Sequence, residues 1–469
     1  MSRCDVSSLS PWYARMTVRL AIAILCCSTL MALRPSTTPL QRVRQRGVID
    51  VVAIASDGVD SQKFLEQSFA GEITQLWARH LGVRIHYVWA RDTAQALDLL
   101  QRHAAQMALT RLPVGDRQLP SLRISRPYMD TQLELVGQGA RLPQTNDLSG
   151  ATLIVRAHSP EAETAALLQE MVPQLHVKRA SELARTEDLL LLADQAERRY
   201  ALVDAMDFDS HHTLHPRLHI AMDLSQGLHL AWAFPGGNNS LYQQAQSFLV
   251  QEEKDGSLQR LLAVYGPQPH FDELGAIDFG HDMSERLPRL EPVFKRYAAA
   301  NHLDWRMLAA IAYQESHWNS SAVSPTGVVG IMMLSASTAA DLGVHDRQNA
   351  HQSIRAGSDY FRDLVDGLPA QISEPDRTWM ALAAYNMGPG HLDDARRLTA
   401  RLGKNPNLWA DVREQLPLLG EPRWYRHLAH GYTPNSRQVL AYVSEVRRYY
   451  DTLLLAHPEY DTNTRLALR

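Results

Sequence analysis

Leu308, Ile311, Ala312 and Glu315 fall at i, i+3, i+4 and i+7. This spacing predicts a helix that carries one carboxylate on the same stripe as its core-facing residues. Burial disfavours the charged form of a glutamate and raises its pKa, which is what a general acid working near neutral pH requires. Glu315 is therefore the candidate proton donor. The plainer alternative is a helix-end glutamate turned to solvent or paired with Arg306 or His317, since carboxylates in structural ion pairs are perturbed too. Ser316, Trp318 and Asn319 follow at once, and then Ser324, Pro325, Gly327 and Gly330 break the helical pattern. They predict a loop that leaves the helix end and folds back over a cleft.

Farther on, Tyr385-Asn386 is followed by Gly388-Pro389-Gly390, an aromatic and an amide at the end of an apolar helix where the chain turns sharply. A core tyrosine at a helix stop accounts for this pattern, and so does a cleft residue. Tyr442 reads either as a core tyrosine on a helix or as a hydroxyl near Glu315. Met332 and Met333 would floor a cleft or fill the core. A two-carboxylate glycosidase needs a partner acid across the scissile bond, whereas a substrate-assisted one works with a single acid. Asp341, Asp359, Asp363 and Asp393 are present, and none has a spacing that singles it out.

Taken in order, Glu315-Ser316, Trp318-Asn319, Ser324 to Gly327, Gly330-Ile331-Met332-Met333, Ala384-Tyr385-Asn386-Met387-Gly388 and Tyr442-Val443 resemble the motifs of the lytic transglycosylases of the goose-lysozyme-like class, over residues 286 to 455. With its front half included, the chain looks most like the membrane-bound lytic murein transglycosylase F type. The resemblance implies an α-helical, lysozyme-like domain that cleaves the β-1,4 bond between N-acetylmuramic acid and N-acetylglucosamine in peptidoglycan. It implies a single acid and no metal or organic cofactor. Glu315 would protonate the glycosidic oxygen, the substrate's acetamido group would stabilise the anomeric carbon, and Glu315 would then take the proton of the O6 hydroxyl, leaving a 1,6-anhydro sugar. Tyr385 and Asn386 would face Glu315 and hold the N-acetyl group, Ser316 would bond that group or orient Glu315, Met332 and Met333 would contact sugar, and Tyr442 would donate to Glu315. Two positions depart from the family pattern. Ser320 stands where the wider family has proline, and Met333 stands where many relatives have a glutamine, so glycan contacts there must be apolar or come from elsewhere. A true hydrolase leaving reducing muramic ends, and an exported non-catalytic solute- or wall-binding protein, stay open as rivals.

At 469 residues, with 45% hydrophobic and 21% charged, the chain exceeds one ordinary core and reads as two to three globular domains. A formal net charge of -4 argues against a nucleic-acid binder, whose signature is a basic face. The three cysteines, Cys4, Cys26 and Cys27, all lie near the start, so the rest of the chain has neither an internal disulfide nor a cysteine metal site. The twenty histidines show no helix-borne ligand spacing such as His-Glu-x-x-His.

Arg15 and Arg19 precede an uncharged run from Leu20 to Leu33, fourteen residues, which suits a signal peptide better than a span of about 20 residues. Residues 1–34 are expected to be a signal peptide or an N-terminal membrane segment. The expected location is the periplasm, peripheral to the outer membrane. From residue 47, short apolar runs alternate with helical stretches, the pattern of an α/β domain. Strands are expected at Val48 to Ala55, Val83 to Val88, Met107 to Thr110, Leu133 to Val136, Thr152 to Val155, Tyr200 to Val203 and Leu228 to Phe234, with helices at Phe64 to Leu81, Thr93 to Arg102 and Ser240 to Tyr265. Leu109-Thr110, Asp116-Arg117, Ser125-Arg126-Pro127-Tyr128, Asp147-Leu148-Ser149-Gly150 and Asp204 resemble the periplasmic solute-binding proteins of the amino-acid-binding class. The likeness implies that Arg117 pairs with a ligand carboxylate and Asp204 with its amine, although Arg111 and Arg123 compete for the first role. A planar guanidinium fork suits a carboxylate. Residues 35–266 are thus expected to form a solute-binding-protein-like (type 3) regulatory domain for a small molecule or muropeptide, 267–285 a linker, and 286–469 the catalytic domain. Helices are expected there at Leu290 to Asn301, Trp305 to Ser316, Ser335 to Leu342, Gln352 to Val365, Trp379 to Tyr385, His391 to Leu402, Asn407 to Leu416 and Ser436 to Tyr450. No internal repeat is visible in either half.

Overall fold

The computed structural model describes residues 37–457 apart from 55–60, 67, 92, 114–120, 158, 182–183, 238, 266–272 and 434–435. The expected export segment and Arg117 lie outside the described residues. Helix α1 (Pro39–Arg46) is capped by Thr38 and stopped by Gly47, and it delivers the chain into β1 (Val48–Ile54). The first lobe continues with α2 (Ser61–Glu66), α3 (Phe69–Leu81), β2 (Arg84–Ala90), α4 (Thr93–Gln101), β3 (Met107–Pro113) and β4 (Leu122–Ile124). Strand β5 (Met129–Gly137) leads to a second lobe of β6 (Thr152–Arg156), α5 (Pro160–Met171), β7 (His176–Ala180), α6 (Thr186–Ala193), β8 (Arg199–Asp204) and α7 (Ala205–His211). Strand β9 (His219–Pro235) returns to the first lobe, followed by α8 (Ser240–Lys254) and α9 (Ser257–Tyr265).

All of these strands join one sheet in the order β2-β1-β3-β9-β5-β8-β6-β7, with β4 beside β9. In the first lobe β1 lies parallel between β2 and β3, and in the second β6 lies parallel between β7 and β8. The lobes therefore repeat one arrangement, joined by the antiparallel pair β5 and β9. This is a two-lobed α/β architecture built on one mixed sheet. A repeat in topology with no repeat in sequence is what pattern alone hides. Central parallel strands are buried on both faces, as Ile49, Val51, Val52 and Ala53 are. The edge strand β7, His-Val-Lys-Arg-Ala, carries no apolar alternation and is invisible to a periodicity argument.

Two expected long helices prove divided. Ser68 accepts from the Gly71 N–H and starts α3 afresh after α2, and Gly256, at φ +76°, separates α8 from α9. The rest of the chain is helical: α10 (Glu273–Glu285), α11 (Leu287–Ala300), α12 (Trp305–Ser316), α13 (Ala336–Asp341), α14 (Ala350–Gly367), α15 (Asp376–Met387), α16 (Pro389–Arg401), α17 (Trp409–Gln415), α18 (Pro422–Tyr425) and α19 (Gln438–Ala456). The stretch expected as a linker contains α10, whose Phe279 is fully buried with its ring centroid 4.5 Å from Tyr313, 5.7 Å from Trp318 and 4.7 Å from Tyr449. One apolar core runs from the first lobe through the helices, while the second lobe has cores of its own. Helix α12 sits at the centre, buried from Trp305 to Tyr313 and packed on α11, α14 and α19. Among the described residues no helix is long and apolar enough to cross a membrane.

Candidate active site

Asp304 starts α12 by accepting from the Arg306 N–H, and the helix stops when His317 and Trp318 both turn left-handed, at φ 49° and 56°. The reversal swings the Trp318 ring back under the helix, where its indole N–H donates to the Ala309 carbonyl at 2.8 Å. Glu315 is thereby fixed one residue from a helix end, half-buried at the margin of the core. Helix α19 supplies its partner: the Tyr442 hydroxyl donates to Glu315 Oε1 at 2.7 Å. Burial pushes the Glu315 carboxyl up to about 7, and the Tyr442 hydrogen bond pulls against that rise. No neighbouring carboxylate contributes. Asp359 accepts from Asn301 Nδ2 at 2.8 Å, Asp393 pairs with Arg397 at 2.6 Å, and Asp341 and Asp363 are exposed.

The loop between α12 and α13 is fastened beside Glu315. The Ser316 hydroxyl donates to the Ile331 carbonyl at 2.9 Å and so pins the loop to the helix that bears Glu315. Arg347 donates to the carbonyls of Gly327 and Leu334 at 3.0 and 2.9 Å. This clamp has no signal in the sequence, because it joins residues about one loop and one helix apart. Gly330, at φ +91°, lies so close to the Arg347 carbonyl that a Cβ would stand 1.9 Å from its oxygen. The Tyr385 hydroxyl donates to the Met332 carbonyl at 3.0 Å, and its ring centroid lies 5.4 Å from that of Tyr360. Burial raises the Tyr385 pKa and the Glu315 charge adds to the rise. Asn386 is exposed beyond Tyr385.

Glu315 and Ser316 on α12, Tyr385 and Asn386 on α15 and Tyr442 on α19 thus come from three helices. Of the two readings open for Met332, its side chain takes the core one, fully buried against Gly357, while its carbonyl accepts from Tyr385. Met333 is half-buried, with a left-handed backbone at φ 48°. A carboxyl that holds its proton to near neutrality, beside aromatic hydroxyls and an open amide, has the makings of a general acid facing a polar polymer.

The lobes of the sheet domain meet at a second charged site. Arg111 on β3 forks onto Asp207 on α7, with its two nitrogens 2.9 and 3.1 Å from the carboxylate oxygens. Asp204 is buried; its Oδ1 accepts from the Met206 N–H at 2.8 Å and from the Thr131 hydroxyl at 3.1 Å, while Oδ2 has no hydrogen-bond partner. Burial raises its pKa. Among the described residues no cluster of three or more His, Cys, Asp or Glu is arranged to hold a metal ion.

Comparison with known proteins adds the following. Residues 292–408 match the family model described as Transglycosylase SLT domain. The chain is 36% identical over 467 residues to a protein of Hahella chejuensis named membrane-bound lytic murein transglycosylase F, covering 97% of this chain and 91% of that one. A protein of the same name from Saccharophagus degradans is 36% identical, covering 91% of this chain and 85% of the relative. Among solved structures, a mutant of ArgBP from T. maritima is similar over 49% of this chain and 99% of its own, at 17% identity and a TM-score of 0.41.

Proposed function

The chain belongs to the membrane-bound lytic murein transglycosylase F family, and we propose that Glu315 is the single group that performs its chemistry. The protein is a peptidoglycan lytic transglycosylase with an SLT domain. In the proposed scheme Glu315 enters the reaction protonated and donates to the glycosidic oxygen as the bond from the muramic anomeric carbon breaks. The substrate's acetamido group supports the positive carbon. The Glu315 carboxylate then takes the proton from the O6 hydroxyl as O6 bonds to that carbon, so the acid is regenerated and no water is consumed. One observation carries this reading: the carboxyl is raised to about 7 by burial, with one hydroxyl and, among the described residues, no second carboxylate acting on it. A solitary acid of this kind suits substrate assistance better than the two-carboxylate arrangement. Tyr442 positions the acid, and Tyr385 with Asn386 receives the N-acetyl group. Ser316 acts through the loop, and Met333 offers an apolar contact.

Mass spectrometry of soluble products from purified peptidoglycan, with the parent and with Glu315→Gln, tests the scheme. Products ending in 1,6-anhydromuramic acid that vanish in the variant are expected. Reducing muramic ends would transfer the reaction to water and require a second carboxylate.

The family name implies a membrane-associated place in the cell envelope. We assign the finer location to the periplasmic side of the outer membrane, with residues 1–34 directing export or anchoring the chain. We further take residues 35–266 as a regulatory domain, 267–285 as a connector and 286–469 as the catalytic domain. The sheet domain would bind a small carboxylate-bearing solute or muropeptide. Asp204, whose buried Oδ2 is unpartnered, is the candidate acceptor for an amine, and Arg117 stays the proposed partner for a carboxylate, with Arg111 as its competitor. Calorimetry with amino acids and muropeptides should give heat that Asp204→Asn abolishes. No heat from either class would remove the ligand from the proposal.

A further inference from the structure

The segment between α18 and α19 is held with unusual care. Asp394 on α16, 1% exposed, turns both carboxylate oxygens to the loop: Oδ1 accepts from the Ala429 N–H at 3.0 Å and Oδ2 from the His430 N–H at 2.8 Å, with His430 Nδ1 3.3 Å from Oδ2. One turn earlier on the same helix, His391 Nδ1 shares a 3.0 Å hydrogen bond with the Thr433 hydroxyl. Gly390 completes the seat, since a Cβ there would stand 2.6 Å from the His430 ring. Three positions in the opening turns of α16 therefore fix residues 429–433. A buried carboxylate devoted to one loop is a costly device unless the loop must present something in a set place.

What it presents is an aromatic side chain. Tyr432 is 55% exposed, the most exposed aromatic among the described residues, and its ring meets the Tyr425 ring edge-on with centroids 5.3 Å apart. The elements on either side of it lead to the residues around Glu315. Helix α16 follows Tyr385 and Asn386 directly, and α19, which follows the loop, brings Tyr442 to Glu315 within its first two turns. The loop thus runs from its seat on α16, the helix after Tyr385 and Asn386, into α19, which bears Tyr442. A tyrosine loses little conformational freedom on binding, and a ring already braced by a neighbour loses less. The C–H faces of pyranose rings are the apolar surfaces that a polar glycan has to offer such a ring.

We infer that Tyr432, braced by Tyr425, is a stacking platform for a sugar ring of the glycan strand, at a subsite beyond those that flank Glu315. The inference rests on the glycan-cleaving reading and deepens it by adding a determinant of strand length.

The test compares the full chain with Tyr432→Ala and Tyr432→Phe on long peptide-free glycan strands and on a tetrasaccharide spanning one scissile bond. Tyr432→Ala should raise KM for long strands roughly tenfold, leave kcat and the tetrasaccharide kinetics unchanged, and be rescued by Tyr432→Phe, which keeps the ring. Unchanged KM for long strands overturns the inference. So does an equal loss on both substrates, which is the mark of a structural role. Equilibrium binding of long strands to Glu315→Gln, with and without Tyr432→Ala, separates this inference from the reaction it rests on. If the parent releases no product while Tyr432→Ala still weakens strand binding, the activity reading fails and the platform stands.

Discussion

At the scale of single residues, Glu315 is set between two opposed influences, burial that favours its acid form and a Tyr442 hydroxyl that favours its carboxylate. In the proposed scheme the acid form is the donor, so cleavage should hold below pH of about 7 and fall by about tenfold per unit well above it. Tyr442→Phe removes the influence that lowers the pKa, so the alkaline limb of the pH–rate profile should move to higher pH. The maximal rate should fall roughly tenfold as the carboxyl loses its orienting bond. A limb that stays in place would mean that Tyr442 positions sugar and not the acid. Glu315→Gln should lower turnover by about 10²–10⁴-fold. It should also act on stability, and the sign follows from linkage. The folded pKa lies above the ordinary carboxylate value, so the parent has its full stability from this group below pH 4.5 and loses it as pH rises to about 7. The amide does not titrate. The variant should therefore gain on the order of 2–3 kcal/mol over the parent between pH 5 and pH 8, measured by denaturant unfolding at the two values.

At the scale of elements, the cleft depends on a loop that has one permitted path. Gly330 combines a left-handed backbone with a Cβ position 1.9 Å from the Arg347 carbonyl oxygen, so Gly330→Ala must displace the loop. The expected cost is at least about 1–3 kcal/mol of stability. Activity should fall more than stability, because the same loop carries the Met332 carbonyl that holds Tyr385. Unaltered turnover in a folded Gly330→Ala chain would detach the loop from the site. Helix α12 was legible at both ends, since its apolar stripe begins after Asp304 and the polar run beginning at Ser316 ends it. Ser324, Pro325, Gly327 and Gly330 likewise announced the loop. The Arg347 clamp was not legible, because a side chain reaching back to two carbonyls leaves no local pattern. The direction of Met332 was not legible either: a methionine suits core and cleft alike, and its contact with Gly357 decides the matter. Helix α10 was hidden by Pro267, Pro269, Gly275 and Gly280, which read as a connector, while its burial comes from rings on α12 and α19 far along the chain.

At the scale of the whole molecule, the first lobe and the catalytic helices share one interior, and the seam between them is charged. Helix α15 begins at the seam with Asp376 and ends at Tyr385 and Asn386. Helix α19 bears Tyr442 and, farther along, Arg447, which donates to the Val264 carbonyl at 2.6 Å and lies over the rings of Tyr265 and Trp379. Both helices that supply the cleft hydroxyls are therefore tied to the first lobe. In the seam, Glu72 on α3 is fully buried; Arg79 donates to its Oε1 at 2.7 Å and also reaches Ser373, while Asp376 accepts from the Trp409 N–H at 2.7 Å. Glu72 Oε2 and Asp376 Oδ2 have no hydrogen-bond partner. The surrounding groups include Tyr87, Tyr265 with Arg447 over its ring, Glu374 and the Arg260–Asp411 pair, and Arg79 is the cation that acts on both carboxyls. Burial and the mutual repulsion of Glu72 and Asp376 raise the Glu72 pKa, so the folded chain keeps a proton that the unfolded chain releases. Stability from this group is complete below the ordinary glutamate value and is lost as pH rises toward the raised one, at up to about 1.4 kcal/mol per unit. In Glu72→Gln the amide oxygen can still accept from Arg79, and its N–H group replaces the retained proton. The parent should lose stability from pH 5 to pH 8 more steeply than the variant, with the two nearest at the acid end. Parallel loss in both chains would mean that Arg79 alone neutralises an ionised Glu72, and that the seam holds together without a shared proton.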